Sequence, residues 1–272
     1  MEDYKNFIRF LGTSGGRFVM ASQLRSSAGT FIHLNGKNIM LDPGPGTLVR
    51  CVNATPPVDL SKIDAVILSH SHIDHSNDLN VIIDVITKGG WSKRKPVLFA
   101  SKESIDGEDK VLFNYLRNFV NIEILKPSDN YAIGNLKFKT SVEHRHGVET
   151  YGIIFDFNVK VSFMADTKFF PELIDSYDGS QILIINLVMY KGKENISHLC
   201  VDDAAKILKE IKPEKCIITH FGRTMLKADP DKVAEKLSEE TGVEVIAAED
   251  GMILNLDKFD AGDKDRQMKF NF

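Results

Sequence analysis

Short apolar stretches separated by turn residues make up the first part of the chain. Residues 6–13, 29–36 and 37–44 each have the composition of a β-strand. The Asn35-Gly36 pair between the last two stretches is typical of a tight hairpin turn. The pattern therefore predicts a single strand followed by a β-hairpin.

The apolar pattern beyond this hairpin alternates between strands and helices. AVILSH (65–70) begins with a continuous apolar run of the kind found in strands that are covered on both faces. Apolar side chains then recur at helical spacing over residues 81–86. Further strands are expected at 97–101, 121–125, 135–144, 150–157, 160–166, 182–188, 216–220 and 243–256, and further helices at 47–54, near 108–119, at 204–211 and at 230–241.

Strands and helices are mixed in both halves of the chain, and no linker rich in proline, glycine or serine separates the halves. We therefore expect one α+β domain over residues 1–258. Its two mixed sheets would pack face to face with helices outside them, giving four αββα layers. The charged segment 259–272 is predicted to be a tail whose Phe270 and Phe272 could dock on a surface.

Composition narrows the class of protein. The 272 residues are 43% hydrophobic and 26% charged, which is typical of a packed globular protein, and the net charge of −4 does not favour non-specific binding to nucleic acid. Cys51, Cys200 and Cys216 form no CxxC pair and indicate a reducing compartment. Neither a signal peptide nor a membrane-spanning stretch is recognisable. We expect a cytoplasmic protein without a membrane partner.

Histidine is scarce in the chain, yet three of its eight histidines fall within residues 70–75. His70 and His72 are two residues apart, so they point the same way in an extended segment. Asp74 and His75 lie about one helical turn further on and can face a second point nearby. This arrangement suits two cations about 3.5–4 Å apart, as in known two-metal sites.

Polar side chains also follow three later apolar strands. His146 comes just after the strand predicted at 135–144, whereas Asp166 and His220 are the last residues of the strands predicted at 160–166 and 216–220. Because ligand sites in α/β proteins tend to form where the carboxyl ends of strands meet, we expect these residues to converge with the histidine cluster.

The histidine cluster resembles a known family. HSHIDH (70–75) fits the HxHxDH signature of the metallo-β-lactamase superfamily, and the chain as a whole resembles its ribonuclease Z-like branch. The similarity covers nearly the whole chain, which implies the four-layer αββα metallo-β-lactamase sandwich. Besides the signature, the matching segments are FLGTSGG (10–16), MLDPGPGT (40–47), HGVETYG (146–152), FMADT (163–167) and THFGRT (219–224).

The resemblance implies a role for each matched residue. A first metal would be held by His70, His72 and His146, a second by Asp74, His75 and His220, and Asp166 would bridge the two. Imidazole and carboxylate ligands suit Zn²⁺, with Mn²⁺ and Fe²⁺ as alternatives. Asp42 would accept a hydrogen bond from a ligand histidine, although an aspartate at this point could also simply begin the DPGP turn.

The roles of three further residues can each be interpreted in two ways. His144 lies on the same face of the same strand as His146, and the spacing to Gly152 in the family motif favours His146. His198 resembles a catalytic histidine of ribonuclease Z that donates a proton or stabilises charge, but it could also be an ordinary residue before a helix. Arg223 could pair with a phosphate oxygen or with a neighbouring carboxylate on the surface.

The chain also departs from ribonuclease Z. NLVMY (186–190) lacks the glutamate of the HEAT segment, and the 19 residues between His146 and Asp166 leave no room for the arm that grips tRNA. The basic stretch 88–96 with Trp91 could contact nucleic acid, although such a run is more often a solvated loop. RNA therefore remains a candidate substrate, but tRNA processing is doubtful.

The expected activity is that of a phosphodiesterase acting on a small cyclic phosphate or nucleotide. Two metals would generate a hydroxide from water near neutral pH, Asp74 would orient it, and His198 would protonate the departing alkoxide. Hydrolysis of an ester, thioester or lactone is an alternative on the same site. A non-catalytic module that binds metal or nucleic acid is another, and a homodimer is compatible with the resemblance.

Overall fold

Two mixed β-sheets of seven strands each form the centre of the molecule in the computed structural model, which describes residues 4–260. The strands are β1 (Phe7–Phe10), β2 (Thr30–Leu34), β3 (Lys37–Leu41), β4 (Ala65–Ile67), β5 (Val97–Ser101), β6 (Asn121–Leu125), β7 (Asn130–Ile133), β8 (Leu136–Glu143), β9 (Tyr151–Asp156), β10 (Lys160–Met164), β11 (Ile182–Asn186), β12 (Lys215–Thr219), β13 (Glu244–Ala247) and β14 (Ile253–Asn255). The first sheet has the order β14-β1-β2-β3-β4-β5-β6, and the second has the order β13-β12-β11-β10-β9-β8-β7.

The helices lie mainly outside the sheets and in the loops at their edges. They are α1 (Gly16–Ser22), α2 (Thr47–Asn53), α3 (Ile73–Ser76), α4 (Leu79–Thr87), α5 (Lys102–Asp106), α6 (Glu172–Tyr177), α7 (Val201–Ile211), α8 (Arg223–Ala228), α9 (Pro230–Thr241) and α10 (Asp257–Asp260). Short 3₁₀ helices occupy Leu60–Lys62 and Asn114–Phe119.

Each sheet combines an antiparallel part with a parallel part. In the first sheet β3 to β6 are parallel neighbours, and in the second β10 to β13 are parallel neighbours. β8 is separated from β10 by two antiparallel pairings, so it runs in the same direction as β10 and ends at the same edge. This topology brings the ends of β8, β10 and β12 together.

Three hydrophobic layers confirm the predicted αββα architecture. One core cluster lies between the sheets and includes Ile32 and Ile39 from the first sheet and Phe138 and Phe155 from the second. A second cluster packs α6, α7 and α9 on the outer face of the second sheet, and a third packs α2 and α4 on the outer face of the first. Strands buried on both faces explain the continuous apolar run before His70.

The hairpin at Asn35-Gly36 is present, with positive φ angles of 49° and 72° as a tight turn between antiparallel strands requires. The expected helix near 108–119 was wrong. Ser101 instead caps a helix that begins at Lys102 and ends before Gly107, and only Asn114–Phe119 is helical in the predicted range, as a 3₁₀ helix.

The single strand expected over 243–256 was also wrong. A turn at Glu249–Gly251 divides the segment, so that β13 belongs to the second sheet and β14 to the first. The turn supplies Asp250, whose contacts are described below.

The predicted boundary between domain and tail falls inside α10. Phe259 packs against the central core, so the folded part includes at least this residue of the predicted tail. Phe270 and Phe272, which were expected to be able to dock on a surface, lie outside the described residues.

Candidate metal centre

The predicted ligand residues lie together at the sheet edge where the strands end. His70 follows β4, and α3 turns the chain so that Asp74 and His75 face inward. His146, Asp166 and His220 come from the loops that follow β8, β10 and β12. His70, His75, His146, Asp166 and His220 are buried, whereas His72 and Asp74 are partly exposed.

Short distances connect the residues into one cluster. Nε2 of His146 lies 2.9 Å from Nδ1 of His72, and Nε2 of His75 lies 3.2 Å from Nε2 of His220. Oδ2 of Asp166 is central, because it lies 3.6 Å from Nε2 of His75, 3.6 Å from Nε2 of His146 and 3.4 Å from Nε2 of His220.

The cluster offers overlapping sets of metal-ligating atoms. Within each set the candidate ligand atoms lie within 4.8 Å of one another. The sets are His70, His72 and His146; His70, His75 and Asp166; Asp74, His75 and His220; and His146, Asp166 and His198.

The chemistry of the cluster fits a bound cation. Nε2 of His70 is buried and has no hydrogen-bond partner among the described residues, a situation that costs about 1–3 kcal/mol unless another group satisfies the atom. Ring nitrogens that share one tetrahedral zinc ion lie about 3.3 Å apart, close to the distances between the facing histidines. A divalent cation would satisfy His70 and give the facing ring nitrogens a common partner.

Asp42 and Ser69 orient His70 and His75 through hydrogen bonds. Asp42 accepts hydrogen bonds from the backbone N–H of Ser69 at 2.7 Å and from its hydroxyl at 2.7 Å, and its Oδ2 lies 3.0 Å from Nδ1 of His75. Oγ of Ser69 also lies 2.9 Å from Nδ1 of His70. These contacts leave Nε2 of both histidines directed toward the cluster, which is what a carboxylate partner does for a ligating imidazole.

The structure separates His146 from His144. Nε2 of His146 faces His72, while its Nδ1 lies 2.8 Å from the carbonyl oxygen of Ser197. His144 is buried with Nε2 at 2.9 Å from the Tyr177 hydroxyl and Nδ1 at 3.2 Å from the carbonyl oxygen of Asp166. Both ring nitrogens of His144 are therefore occupied, and burial lowers its pKa to about 4.

Asn186 was missed by the sequence reasoning. Its Nδ2 donates a hydrogen bond of 2.8 Å to Oδ1 of Asp166, which leaves Oδ2 free to face the histidines. The only signal in the sequence was a polar side chain within the otherwise apolar strand predicted at 182–188.

His198 lies beside the cluster, which an ordinary residue before a helix would have no reason to do. Its Nδ1 is 3.4 Å from Oδ2 of Asp166 and has no hydrogen-bond partner among the described residues. Burial lowers its pKa to about 4, and the nearby His146 and His220 add to the effect of burial. The rest of the side chain is partly exposed on the wall of a cleft, so Nε2 is the nitrogen available to a bound molecule.

The FLGTSGG segment (10–16) lies on the other side of the cluster, where it contacts Asp74 and the backbone beside His220. The backbone N–H of Gly16 donates to Oδ2 of Asp74 at 3.0 Å, and Ser14 pairs with Phe221 beside His220. A Cβ atom at Gly15 would lie 2.0 Å from the carbonyl oxygen of His220, so this close approach requires glycine.

Asp250 secures this segment from the far end of the chain. Its carboxylate accepts hydrogen bonds from the backbone N–H and hydroxyl of Thr13 and from the backbone N–H of Ser26. Both ends of the loop between β1 and β2 are therefore attached to the turn between β13 and β14.

The imidazoles and carboxylates of the cluster shift one another's pKa values because they lie close together. Burial opposes a charge on His75, but the facing carboxylates of Asp166 and Asp42 outweigh it and raise its pKa well above the ordinary value. Burial alone would raise the pKa of Asp166, but His220 and His75 hold it well below its usual range. His70, which is fully buried, has its pKa lowered by burial and by His75. The carboxylates thus favour positive charge at the centre, which a cation can provide.

An open cleft of about 730 Å³ leads to the cluster. Four residues of the cluster line this cleft, namely His72, Asp74, Asp166 and His198. Arg223, the first residue of α8, lines the wall, and it forms no ion pair among residues 4–260. Among the described residues, Arg223 therefore lacks the neighbouring carboxylate with which it was alternatively expected to pair on the surface.

The fold and the cluster define a metallo-β-lactamase-fold protein, and the sequence profile of the beta-lactamase superfamily domain matches residues 37–221. The chain belongs to this superfamily. An uncharacterized protein of Methanocaldococcus jannaschii is 32% identical over 258 residues, which cover 92% of this chain and 94% of that protein. Ribonuclease Z of Methanopyrus kandleri is 24% identical over 297 residues, which cover 93% of this chain and 99% of the relative.

A solved structure also shares the fold. A diphosphatase from the PhnP family has a TM-score of 0.69 and 20% sequence identity, over 92% of this chain and 96% of that one. These relationships confirm the metallo-β-lactamase fold and indicate a metal-dependent hydrolase. Over residues 4–260, no helix is long and apolar enough to cross a bilayer.

Proposed function

We propose that the protein is a binuclear metal-dependent phosphodiesterase that acts on a small phosphodiester or nucleotide. The observation that carries the proposal is the central place of Asp166, whose Oδ2 lies within 3.6 Å of imidazole nitrogens from both predicted ligand sets. A single carboxylate oxygen between two groups of histidines suits a bridge between two cations. The names of the ribonuclease Z and diphosphatase relatives support phosphorus as the centre that is attacked.

Each residue of the cluster would have a defined role in binding the cations. His70, His72 and His146 would hold one cation, Asp74, His75 and His220 the other, and Asp166 both; Zn²⁺ suits these ligands best. When bound, the two cations supply Lewis acidity, which activates water near neutral pH and neutralises charge on phosphate oxygens.

The cleft residues would bind and orient the substrate. Arg223 carries a charge that no described carboxylate neutralises and would pair with a non-bridging phosphate oxygen. Asp74, fixed by the N–H of Gly16, would orient the attacking water. His198 would place Nε2 against the leaving-group oxygen and donate a proton to it, because the negative charge of a bound phosphodiester would raise the lowered pKa of this imidazole and favour its protonated form.

The cleft supports a small substrate. Its volume of about 730 Å³ falls within the range of about 300–1,000 Å³ that is usual for small-molecule sites. The chain has only 19 residues between His146 and Asp166, too few for a tRNA-gripping arm. RNA remains a candidate only as a short single strand.

Metal content and substrate preference test the proposal. Protein prepared without chelator should contain close to two equivalents of divalent metal by elemental analysis. It should hydrolyse bis-p-nitrophenyl phosphate faster than p-nitrophenyl acetate. A preference for the acetate would favour the ester hydrolase alternative, and bound metal without turnover of either compound would favour a non-catalytic module.

The role of His198 is tested with two leaving groups. General acid catalysis typically contributes about 10²- to 10⁴-fold, so His198→Ala should slow an alkyl phosphodiester by a factor in that range. A p-nitrophenyl diester, whose leaving group departs unaided, should lose much less. Equal losses on both would indicate charge stabilisation instead, and no loss on either would remove His198 from the mechanism.

A further inference from the structure

Phe18 is a large apolar side chain that the fold leaves uncovered. It lies on α1, is 70% exposed and lines the cleft above the candidate metal centre. The neighbouring Val19 is fully buried and anchors the same helix in the protein. Packing therefore accounts for Val19 but gives no reason for a phenyl ring at position 18.

Phe18 is part of a larger apolar surface in the cleft. Ile73, between two predicted ligands, is 60% exposed, and Ile196, two residues before His198, is 37% exposed. We call Phe18, Ile73 and Ile196 the apolar shelf; all three line the same cleft. A single exposed apolar residue is ordinary on a protein surface, but three around one polar centre indicate that a ligand covers them.

Positive charges accompany the shelf. Arg17, Lys193 and Arg223 line the same cleft, and none of them pairs with a carboxylate in the described part of the chain. A ligand that suits this wall must be anionic at one point and apolar at another. A phosphodiester with a planar aromatic substituent has both properties, because its ring can lie on the shelf while its phosphate faces the cations.

The shelf is held at a fixed distance from the centre. Gly16 binds Asp74 through its backbone N–H at 3.0 Å, and Phe18 is only two residues further along the chain. Two residues span at most about 7 Å between Cα atoms, so the Cα atom of Phe18 lies within about 7 Å of the Cα atom of Gly16. α1 therefore couples the place of the ring to the place of the reacting phosphate.

We propose that Phe18 is a specificity-determining residue that stacks on the nucleobase, or an equivalent planar aromatic group, of the phosphodiester substrate. This inference rests on the proposed phosphodiesterase function and names the part of the substrate that does not react. Stacking on an aromatic side chain tolerates any base, because every base presents a flat face. The shelf thus selects for an aromatic substituent and not for a particular base.

Two substrates with the same leaving group test the proposal. The p-nitrophenyl ester of thymidine 5′-phosphate and methyl p-nitrophenyl phosphate differ only in the group that stays on phosphorus. In Phe18→Ala, kcat/KM for the thymidine ester should fall by about 5- to 100-fold, the usual effect of removing a stacking side chain. The methyl ester should change by less than about twofold, because it has no ring to stack.

Two further variants control the experiment. Phe18→Trp should retain the preference for the thymidine ester, since indole offers a larger flat face. Leu24→Ala removes another exposed apolar side chain, just beyond α1 and outside the cleft lining, and should change neither rate. Equal losses on both esters in Phe18→Ala, or no loss on the thymidine ester, would overturn the inference.

A binding measurement separates this inference from the proposed function. Calorimetry with thymidine 5′-monophosphate should show a Kd that rises in Phe18→Ala by a factor similar to the kinetic one. If the unmodified protein hydrolyses neither ester, the phosphodiesterase proposal fails, while a Kd that depends on Phe18 still supports the stacking role. A Kd that is the same with and without the phenyl ring, or no binding at all, would overturn it.

Discussion

The two sheets contribute to the candidate metal centre in opposite ways. The first sheet supplies His70, His72, Asp74 and His75 from one short segment after β4. The second supplies one side chain from each of three loops, after β8, β10 and β12. One part of the centre is therefore encoded locally, and the other depends on three strands in the correct register.

The supporting contacts differ in the same way. In the first part, Asp42 and Ser69 orient neighbouring histidines through a compact set of hydrogen bonds. In the second part, Asn186 and the carbonyl oxygen of Ser197 come from separate parts of the chain, and each orients one candidate ligand. A local motif is therefore enough to identify such a site, whereas hydrogen bonds from distant parts of the chain determine its geometry.

The largest effect is expected from Asp166→Asn, because Asp166 belongs to both parts. The amide keeps the shape of the side chain but removes the charge that faces the buried histidines. Metal content should fall at both sites, and phosphodiester turnover should fall by more than about 10³-fold, beyond the roughly 10–100-fold cost of losing an outer-shell partner.

Asp175→Asn is a suitable control for this change, since Asp175 is an exposed acidic residue on α6. Elemental analysis of the two variants side by side provides the measurement. Asp166→Asn protein that kept two equivalents of metal would contradict a bridging role.

His146→Ala should remove one cation and leave the other. The set formed by His70, His72 and His146 loses a member, whereas Asp74, His75 and His220 remain. Elemental analysis should show about half of the unmodified metal content if the proposed pair of sites is right. Complete loss of both ions would mean that the two parts of the centre cannot be occupied separately.

Asn186→Ala tests whether a distant support matters as much as the local ones. Without the hydrogen bond of 2.8 Å, Asp166 can rotate away from the histidines. Metal affinity should drop by about 10–100-fold in a titration against a competing chelator. Asn158→Ala, at an exposed residue in the turn between β9 and β10, provides the matched control and should leave the affinity unchanged.

His144→Ala is expected to have the smallest effect on the centre. The Tyr177 hydroxyl loses its contact of 2.9 Å with His144 and keeps the longer one of 3.4 Å to the carbonyl oxygen of Phe163, so the free energy of unfolding should fall by about 1–3 kcal/mol in urea denaturation. Metal content should stay unchanged. Metal loss here, together with retention in His146→Ala, would reverse the assignment of the two histidines.

The sequence predicted the architecture and the cluster because both leave local patterns. Buried parallel strands appear as apolar runs, and the first candidate ligand residues appear as HxHxDH. The pattern could not show that Asn186 binds Asp166, since that contact depends on how β10 and β11 pair in register. Nor could it show the division of 243–256 between two sheets, because both pieces are apolar and the turn between them is short.

The helix α1 beside the cleft could not be predicted from the sequence either. Residues 16–22 carry too few apolar side chains in a helical repeat to predict a helix, and Phe18 by itself resembles any core residue. The hydrogen bond from Gly16 to Asp74, which the sequence does not reveal, places that phenyl ring beside the centre.

The attachment of the first strand to the last has a consequence for synthesis of the protein. β1 pairs with β14, with Phe7 opposite Asn255, and the loop after β1 is held by Asp250. At about 5–20 residues per second, a ribosome needs roughly 12–50 s to add the residues between these partners. During that interval the histidines of the first sheet have emerged without His220 or the Asp250 anchor. The nascent chain thus carries an incomplete set of the candidate ligand residues until His220 has been added, and the anchor of the loop after β1 follows only with Asp250.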